Sequence, residues 1–314
     1  MIKYIDIKNY KGFENLKIEN FKKVNLITGA NDIGKTSLLE ALSFSTFSNP
    51  DSIVINLLQL INKRDPEIAL RQDIISYIKK YYNFFEFSSN LSEIKFESPE
   101  SIEYLFKIKT KEETKVYKEI VESDLIQKRD NKNMVFIVDH GGSVMILKRW
   151  YEIVQKREDE EFINDKIAQF DTNIESFKII GEEPSVKIKE SKEYIPISEL
   201  GDGLKRFIFM LIAFYKVGQN GYIFIDEIEN GIWYKNYTLL WKNIFYLSDL
   251  FDIQLFITTH SKEMIDSFLK VSKEEKFDAI SLIELVQKEG FVKYIQFDQT
   301  TLSIELENDF EVRG

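Results

Sequence analysis

Apolar residues recur along the chain with two alternating periods, and their order outlines a fold. Ile2-Lys3-Tyr4-Ile5-Asp6-Ile7 and Leu16-Lys17-Ile18 alternate apolar and polar positions, as half-buried strands do. Val24-Asn25-Leu26-Ile27 is a short apolar run that ends near Gly29. Leu38, Leu39, Ala41 and Leu42 then share one helical face, predicting a helix from Gly34 to about Phe47, stopped by Asn49-Pro50-Asp51. From Ile53 to Tyr82 the period is helical. Short strands at close spacing follow at Glu93–Glu97, Ile102–Thr110, Thr114–Tyr117 and Met134–Val138, with a hairpin turn at Lys111–Thr114, and predict an antiparallel sheet. Trp150 to Gln169 reads as helix. Beyond it, strands near Phe177–Ile180, Val186–Ile188, Tyr222–Ile225, Ile253–Thr258, Ile280–Leu285 and Val292–Phe297 alternate with helices at about Gly203–Tyr215, Tyr237–Leu247 and Lys262–Leu269. That alternation predicts a parallel sheet covered by helices. No internal repeat or sustained heptad is present.

Composition narrows the chemistry. With 314 residues, 44% hydrophobic content, 25 Phe and 15 Tyr, the chain can bury a large core, which excludes disorder as the whole answer. Cys is 0 and His is 2, so a disulfide framework, a thiolate metal site and a cysteine nucleophile are excluded, and a multi-histidine metal site is disfavoured. The start of the chain has no signal-peptide pattern, and its longest apolar run, Phe207–Tyr215, is far shorter than a bilayer span; a cytoplasmic protein without a membrane partner is the expectation. The net charge of −10 argues against a broad DNA-coating surface and leaves a local basic groove open. Between Leu105 and Asn133 eight Lys/Arg stand against six acids, the mixture of a solvated hairpin face.

The densest chemistry follows the third strand. Gly29-Ala30-Asn31-Asp32-Ile33-Gly34-Lys35-Thr36 fits G-x-x-x-x-G-K-[ST]. Glycines let backbone N–H groups curl around a β-phosphate, the following helix N-terminus adds its dipole, Lys35 reaches the β- and γ-phosphates, and Thr36 ligates Mg²⁺. The bland reading is a glycine turn beside a surface lysine. A second half-site lies at Tyr222-Ile223-Phe224-Ile225-Asp226-Glu227, an apolar strand ending in two acids. Alone it reads equally as solvated acids. Beside the phosphate loop, Asp226 is a Mg²⁺ ligand and Glu227 the general base for an attacking water. His260 tops another apolar strand, Leu255–Thr259, where it can sense a γ-phosphate; the alternative is a structural histidine. Ser261 reads as a helix cap. Leu200-Gly201-Asp202-Gly203-Leu204-Lys205-Arg206 before an apolar helix reads as a second phosphate site or as a turn plus cap.

Taken in order, these segments resemble the ABC-class ATPases of the SMC/RecF/OLD type, in particular the stand-alone bacterial AAA_15/AAA_21 ATPases related to OLD proteins. The likeness runs from Asn9-Tyr10-Lys11-Gly12-Phe13 through the phosphate loop, Glu199–Arg206, Phe224–Gly231 and Thr258-Thr259-His260-Ser261 to Glu311-Val312-Arg313. It implies an α/β P-loop NTPase of ABC-ATPase type: a mixed sheet core, an antiparallel β subdomain and an inserted α+β lobe. Residues 1–48 plus 175–314 would be the core and 49–174 the insert. It also implies ATP and Mg²⁺ as ligands and a head-to-tail dimer or higher assembly. In that dimer Gly29, Asn31, Asp32, Gly34, Lys35, Thr36 and Ser37 hold the nucleotide, Thr36 and Asp226 the metal, and Gly201 and Gly203 close over the partner copy's γ-phosphate. Glu227 is the base, His260 the switch histidine, and Asn230 falls in the D-loop-like segment. The signature lacks the serine of LSGGQ. No glutamine has convincing Q-loop context, and Tyr10 and Phe13 are the aromatic candidates for the base of the nucleotide.

Only about fifty residues follow His260, and their acids are scattered, so no intrinsic TOPRIM-type nuclease is expected. The favoured reading is an ATPase that gates a separately encoded effector, such as a TOPRIM-like nuclease, in anti-phage defence. The alternative is an SMC/RecF-like repair ATPase that binds duplex DNA itself. A transporter ATPase, a small-molecule P-loop kinase and a protein using ATP as a structural ligand explain fewer of the segments.

Overall fold

The computed structural model describes residues 1–64, 84–97, 105–117, 133–137, 144–190 and 193–307. The second half of the expected Ile53–Tyr82 helix, His140 and the closing Glu311–Arg313 lie outside these residues.

The central sheet has six strands in the order β15-β14-β3-β13-β12-β8. Its parallel members are β3 (Val24–Gly29), β8 (Met134–Ile137), β12 (Tyr222–Ile225), β13 (Gln254–Thr258) and β14 (Ile280–Lys288), and β15 (Phe291–Phe297) closes one edge antiparallel to β14. Both faces of β3, β12, β13 and most of β14 are covered, which is why these strands read as continuous apolar runs and not as alternations. Successive residues enter different cores. Ile223, Ile225, Leu255 and Ile257 belong to one hydrophobic cluster, and Phe224 and Phe256 to the other. Phe224 and Phe256 stack at 5.5 Å on that second face.

The first cluster is covered by α3 (Val144–Lys156), α4 (Glu160–Phe170), α5 (Asp202–Val217), α6 (Tyr237–Leu250) and α7 (Lys262–Glu274). A three-stranded sheet, β11 (Tyr194–Pro196)-β10 (Glu183–Ile188)-β9 (Ile174–Ile180), packs beside them. The second cluster is closed by α1 (Lys35–Phe44), α2 (Pro50–Arg64) and an antiparallel sheet. That sheet has the order β2-β1-β4-β5-β6-β7, with β1 at Tyr4–Tyr10, β2 at Phe13–Glu19, β4 at Phe84–Ser89, β5 at Ser92–Glu97, β6 at Leu105–Thr110 and β7 at Thr114–Tyr117. A final helix, α8 (Gln299–Glu307), follows β15.

Strands of the expected core, residues 1–48 plus 175–314, pair with strands of the expected insert, residues 49–174. β4 pairs with β1, so the N-terminal hairpin and residues 84–117 make one sheet. β8 pairs in parallel with β12 and joins the central sheet. Tertiary burial decides this: each segment is too short to hide its own apolar face and borrows a partner far away in sequence. The single helix expected from Trp150 to Gln169 is two, α3 and α4, broken around Glu158, which sits at φ 61°. Pro50 begins α2 instead of merely ending α1, at the helix position where a missing N–H costs nothing. Among the described residues no helix is long and apolar enough to cross a membrane.

Candidate functional site

Three adjacent parallel strands, β3, β13 and β12, deliver the candidate residues to one edge of the sheet. Such crevices beyond the carboxyl ends of parallel strands are where open α/β sheets place their ligands. The cleft there has a volume of about 660 Å³ and is lined by Asn31, Asp32, Gly34, Lys35, Thr36, Ser37, Asp226, Glu227 and His260. Residues 31–37, 226–227 and 260 are thus brought together from three separate stretches of chain.

The loop after β3 needs its glycines. Gly29 has φ 140° and a Cβ there would lie 2.5 Å from the Leu285 carbonyl oxygen; Gly34 has φ 109° and a Cβ would meet the Phe13 ring at 2.8 Å. Phe13 is therefore a floor under the loop, 1% exposed, and Tyr10 is 3% exposed with its hydroxyl donating to Glu40 at 3.1 Å. Both aromatic candidates are buried, so neither presents an open ring to a nucleotide base in this structure. Lys11, at the hairpin tip, also ion-pairs with Glu40.

Lys35 folds back over the loop, donating to the carbonyls of Gly29 and Ala30, each at 2.8 Å. Burial pulls its ammonium below the usual lysine range, opposed by Glu227, Asp226, Glu229 and Asp32. The Thr36 hydroxyl donates to Asp226 Oδ2 at 2.9 Å, and Thr258 donates to Asp226 Oδ1 at 2.7 Å. The Thr258 hydroxyl also accepts the Glu227 N–H at 2.8 Å. The donor set Thr36 plus Asp226, one hydroxyl and one carboxylate, suits Mg²⁺, which keeps water and substrate phosphates in its remaining positions. Among the described residues no cluster of three or more His, Cys, Asp or Glu forms a self-sufficient metal cage.

Glu227 has φ 51°, an uncommon backbone state for a residue with a side chain. Its Oε1 lies 3.0 Å from His260 Nε2, and its Oε2 accepts from Asn230 Nδ2 at 2.6 Å. The His260 N–H donates to Glu229 at 2.6 Å. Ser261 caps α7, its hydroxyl accepting the Met264 N–H at 3.1 Å.

Gly201 and Gly203 do not line this cleft. Gly201 and Asp202 are exposed, and a Cβ on Gly203 would sit 2.2 Å from the Gly231 carbonyl, so the glycine is needed where α5 begins against the segment after β12. Arg206, 2% exposed, donates to the carbonyls of Asp226 and Glu227 at 2.6 and 2.8 Å. It was visible in the sequence only as the last residue of the glycine segment. Its role in holding the turn of the two acids had no signal there, because a buried arginine on an apolar helix face resembles a surface charge. Thr258 reads in the sequence as the end of a strand and as the start of the Thr258–Ser261 segment, with no sign of its bond to Asp226.

Residues 1–182 and 146–265 match the model of the family AAA_15, AAA ATPase domain. An ATP/GTP phosphatase of Helicobacter pylori is 27% identical over 334 residues, covering 88% of this chain and 90% of the relative. A shorter match, 42% identical over 62 residues, is to the uncharacterised protein MJECL10 of Methanocaldococcus jannaschii, covering 19% of this chain and 28% of that one. The fold is similar to an Smc head bound to the C-winged helix domain of ScpA, with TM-score 0.54, 14% identity and coverage of 95% and 97%. It is also similar to an Smc head with an extended coiled coil bound to the C-terminal domain of ScpA derived from Pyrococcus furiosus, with TM-score 0.55, 13% identity and coverage of 98% of each chain.

Proposed function

Since the chain belongs to the AAA_15 family of ATPase domains and is an ATPase, we propose that two copies close head to tail around Mg-ATP and that this closure gates a separate effector. The observation that carries the site is the convergence of Lys35, Thr36, Asp226, Glu227 and His260 in one cleft. In this reading the backbone of Gly29–Ser37, including Asn31 and Asp32, cradles the phosphates, and Lys35 leaves the loop carbonyls to meet them. Thr36 and Asp226 hold Mg²⁺, which supplies charge neutralisation along the phosphates. Glu227 accepts the proton of the attacking water, and His260 reports the γ-phosphate.

What supports the dimer is the placement of Gly201 and Asp202: they form an exposed helix start outside their own cleft, and Gly203 packs on the turn that follows Glu227. A helix N-terminus of that kind is suited to a phosphate held by a second copy. Partner gating requires open and closed states to bind the effector differently, or ATP could shift nothing. The family resemblance points to a TOPRIM-like nuclease and anti-phage defence as the setting in a cytoplasmic protein.

Glu227→Gln tests the reading. With ATP it should run at twice the monomer mass in light scattering and turn over at least about a hundredfold more slowly than the wild type. A variant that stays monomeric at saturating ATP would defeat the dimer. Copurification of one specific protein supports the effector, whereas steeply salt-dependent binding of duplex DNA by the isolated chain would favour the repair reading instead.

A further inference from the structure

The geometry points to Asn230 as a positioning residue for the Glu227 carboxylate, a role that rests on the reading of Glu227 as the base. Asn230 engages Glu227 twice. Its backbone N–H donates to the Glu227 carbonyl at 3.1 Å, closing a four-residue turn, and its side-chain amide donates to Oε2 at 2.6 Å. The turn begins at the positive φ of Glu227 and is followed by Gly231 at φ 73°. Its other attachments are rigid: Ile228 N–H donates to the Thr258 carbonyl at 3.0 Å, and Arg206 holds the carbonyls of Asp226 and Glu227.

The backbone of the turn is therefore fixed from both adjoining elements, and the remaining freedom is the direction of the glutamate side chain. A glutamate has three rotatable bonds, and a base must aim one oxygen at a water held within hydrogen-bond reach. Asn230 takes Oε2 and leaves Oε1 directed toward His260 across the cleft. The amide is suited to this because it donates without carrying charge. A lysine there would neutralise the carboxylate, and an aspartate would repel it. The spacing also accounts for the half-buried setting of Asn230: residue i+3 of a tight turn points back over residue i.

A turn-forming asparagine with no bearing on the carboxylate is the competing explanation, and a double-mutant cycle separates the two. Asn230→Ala should lower kcat about ten- to a hundredfold, the cost of a misplaced reacting group. Its KM, and its Kd for a fluorescent ATP analogue, should stay at the wild-type values. Asn230→Asp keeps a side chain that forms turns but removes the donor, and should lose at least as much kcat. On a Glu227→Gln background, followed by single-turnover hydrolysis, Asn230→Ala should cost nothing further, since the group it directs is already gone.

An equal loss on both backgrounds overturns the assignment. So does wild-type kcat in Asn230→Asp, or weakened binding of the analogue that accounts for the lost rate. Failure of the underlying reading looks different: Glu227→Gln alone would then turn over like the wild type.

Discussion

Every residue of β3 and β13 is buried, whereas β1 and β4 alternate buried with half-buried or exposed positions. The two six-stranded sheets share one hydrophobic cluster, yet the chemistry sits on one of them. Gly29, Asp226 and Thr258 all stand at or just beyond the carboxyl ends of parallel strands. Strands that run side by side in one direction bring their following loops to one edge, and those loops can be as polar as a ligand requires while the strands stay apolar. In the antiparallel sheet, successive strand ends are scattered to opposite edges. Its polar residues face solvent in pairs, such as Lys8–Glu86 and Lys109–Glu93. One sheet aims side chains and the other encloses a core.

That contrast is sharpened most by removing a large ring from each sheet. Phe224→Ala, in the second core two residues before Asp226, should destabilise by about 3–5 kcal/mol, and Phe87→Ala in β4 by a similar amount. Their effects on the remaining folded protein should differ. Phe224→Ala should lower kcat as well, because β12 carries Asp226 and Glu227, while Phe87→Ala should leave kcat per folded molecule near the wild-type value. Chemical denaturation with active-site titration reads both quantities. Equal losses of kcat would dissolve the distinction between the sheets.

Next in size is Lys35→Ala. Truncating one member of a desolvated charge pair costs about 2–5 kcal/mol, so binding of a fluorescent ATP analogue should fall by at least about tenfold. The fold should survive, because among the described residues the lysine's hydrogen bonds go to loop carbonyls. Retained tight binding would remove the phosphate loop from the site.

Thr258→Val comes third. Valine keeps the shape but loses the bonds to Asp226 Oδ1 and from the Glu227 N–H. A stability cost of about 1–3 kcal/mol follows from leaving a half-buried acceptor and donor without this partner. Turnover should fall further than nucleotide affinity, since the two acids are displaced while the phosphate loop is untouched.

How much of this was readable beforehand depends on the range of the interaction. The phosphate loop, the Asp226-Glu227 pair, His260 and the Ser261 cap are local: each is marked by glycines, acids, a histidine or a small polar residue close after an apolar run. Strand existence was legible from the same periodicity for most strands, but β4 and the short β11 were not expected. Strand partnership was not. β8 reads as one more member of an antiparallel set, but its Val135 and Ile137 fit the first core only when paired beside β12. The aromatic residues Tyr10 and Phe13 looked available because sequence reports their chemistry and not their exposure. Arg206 and Thr258 escaped for the converse reason: their work is to bond backbone or carboxylate groups of residues 20 and 32 positions away.

The smallest expected effect tests the other side of the comparison. Lys109 and Glu93 face each other across β6 and β5, 3.2 Å apart, with side chains 53% and 57% exposed. The pair lies on the solvent face, opposite Ile94 and Ile108, which are buried. Water screens the attraction, and holding two long side chains in one geometry costs entropy, so such pairs contribute little. Lys109→Ala should change stability by less than about 0.5 kcal/mol and leave kcat unchanged. If the variant instead loses turnover in a urea- and thermally-matched comparison, the outer face of the antiparallel sheet communicates with the cleft. The sheet's part would then extend beyond enclosing the core.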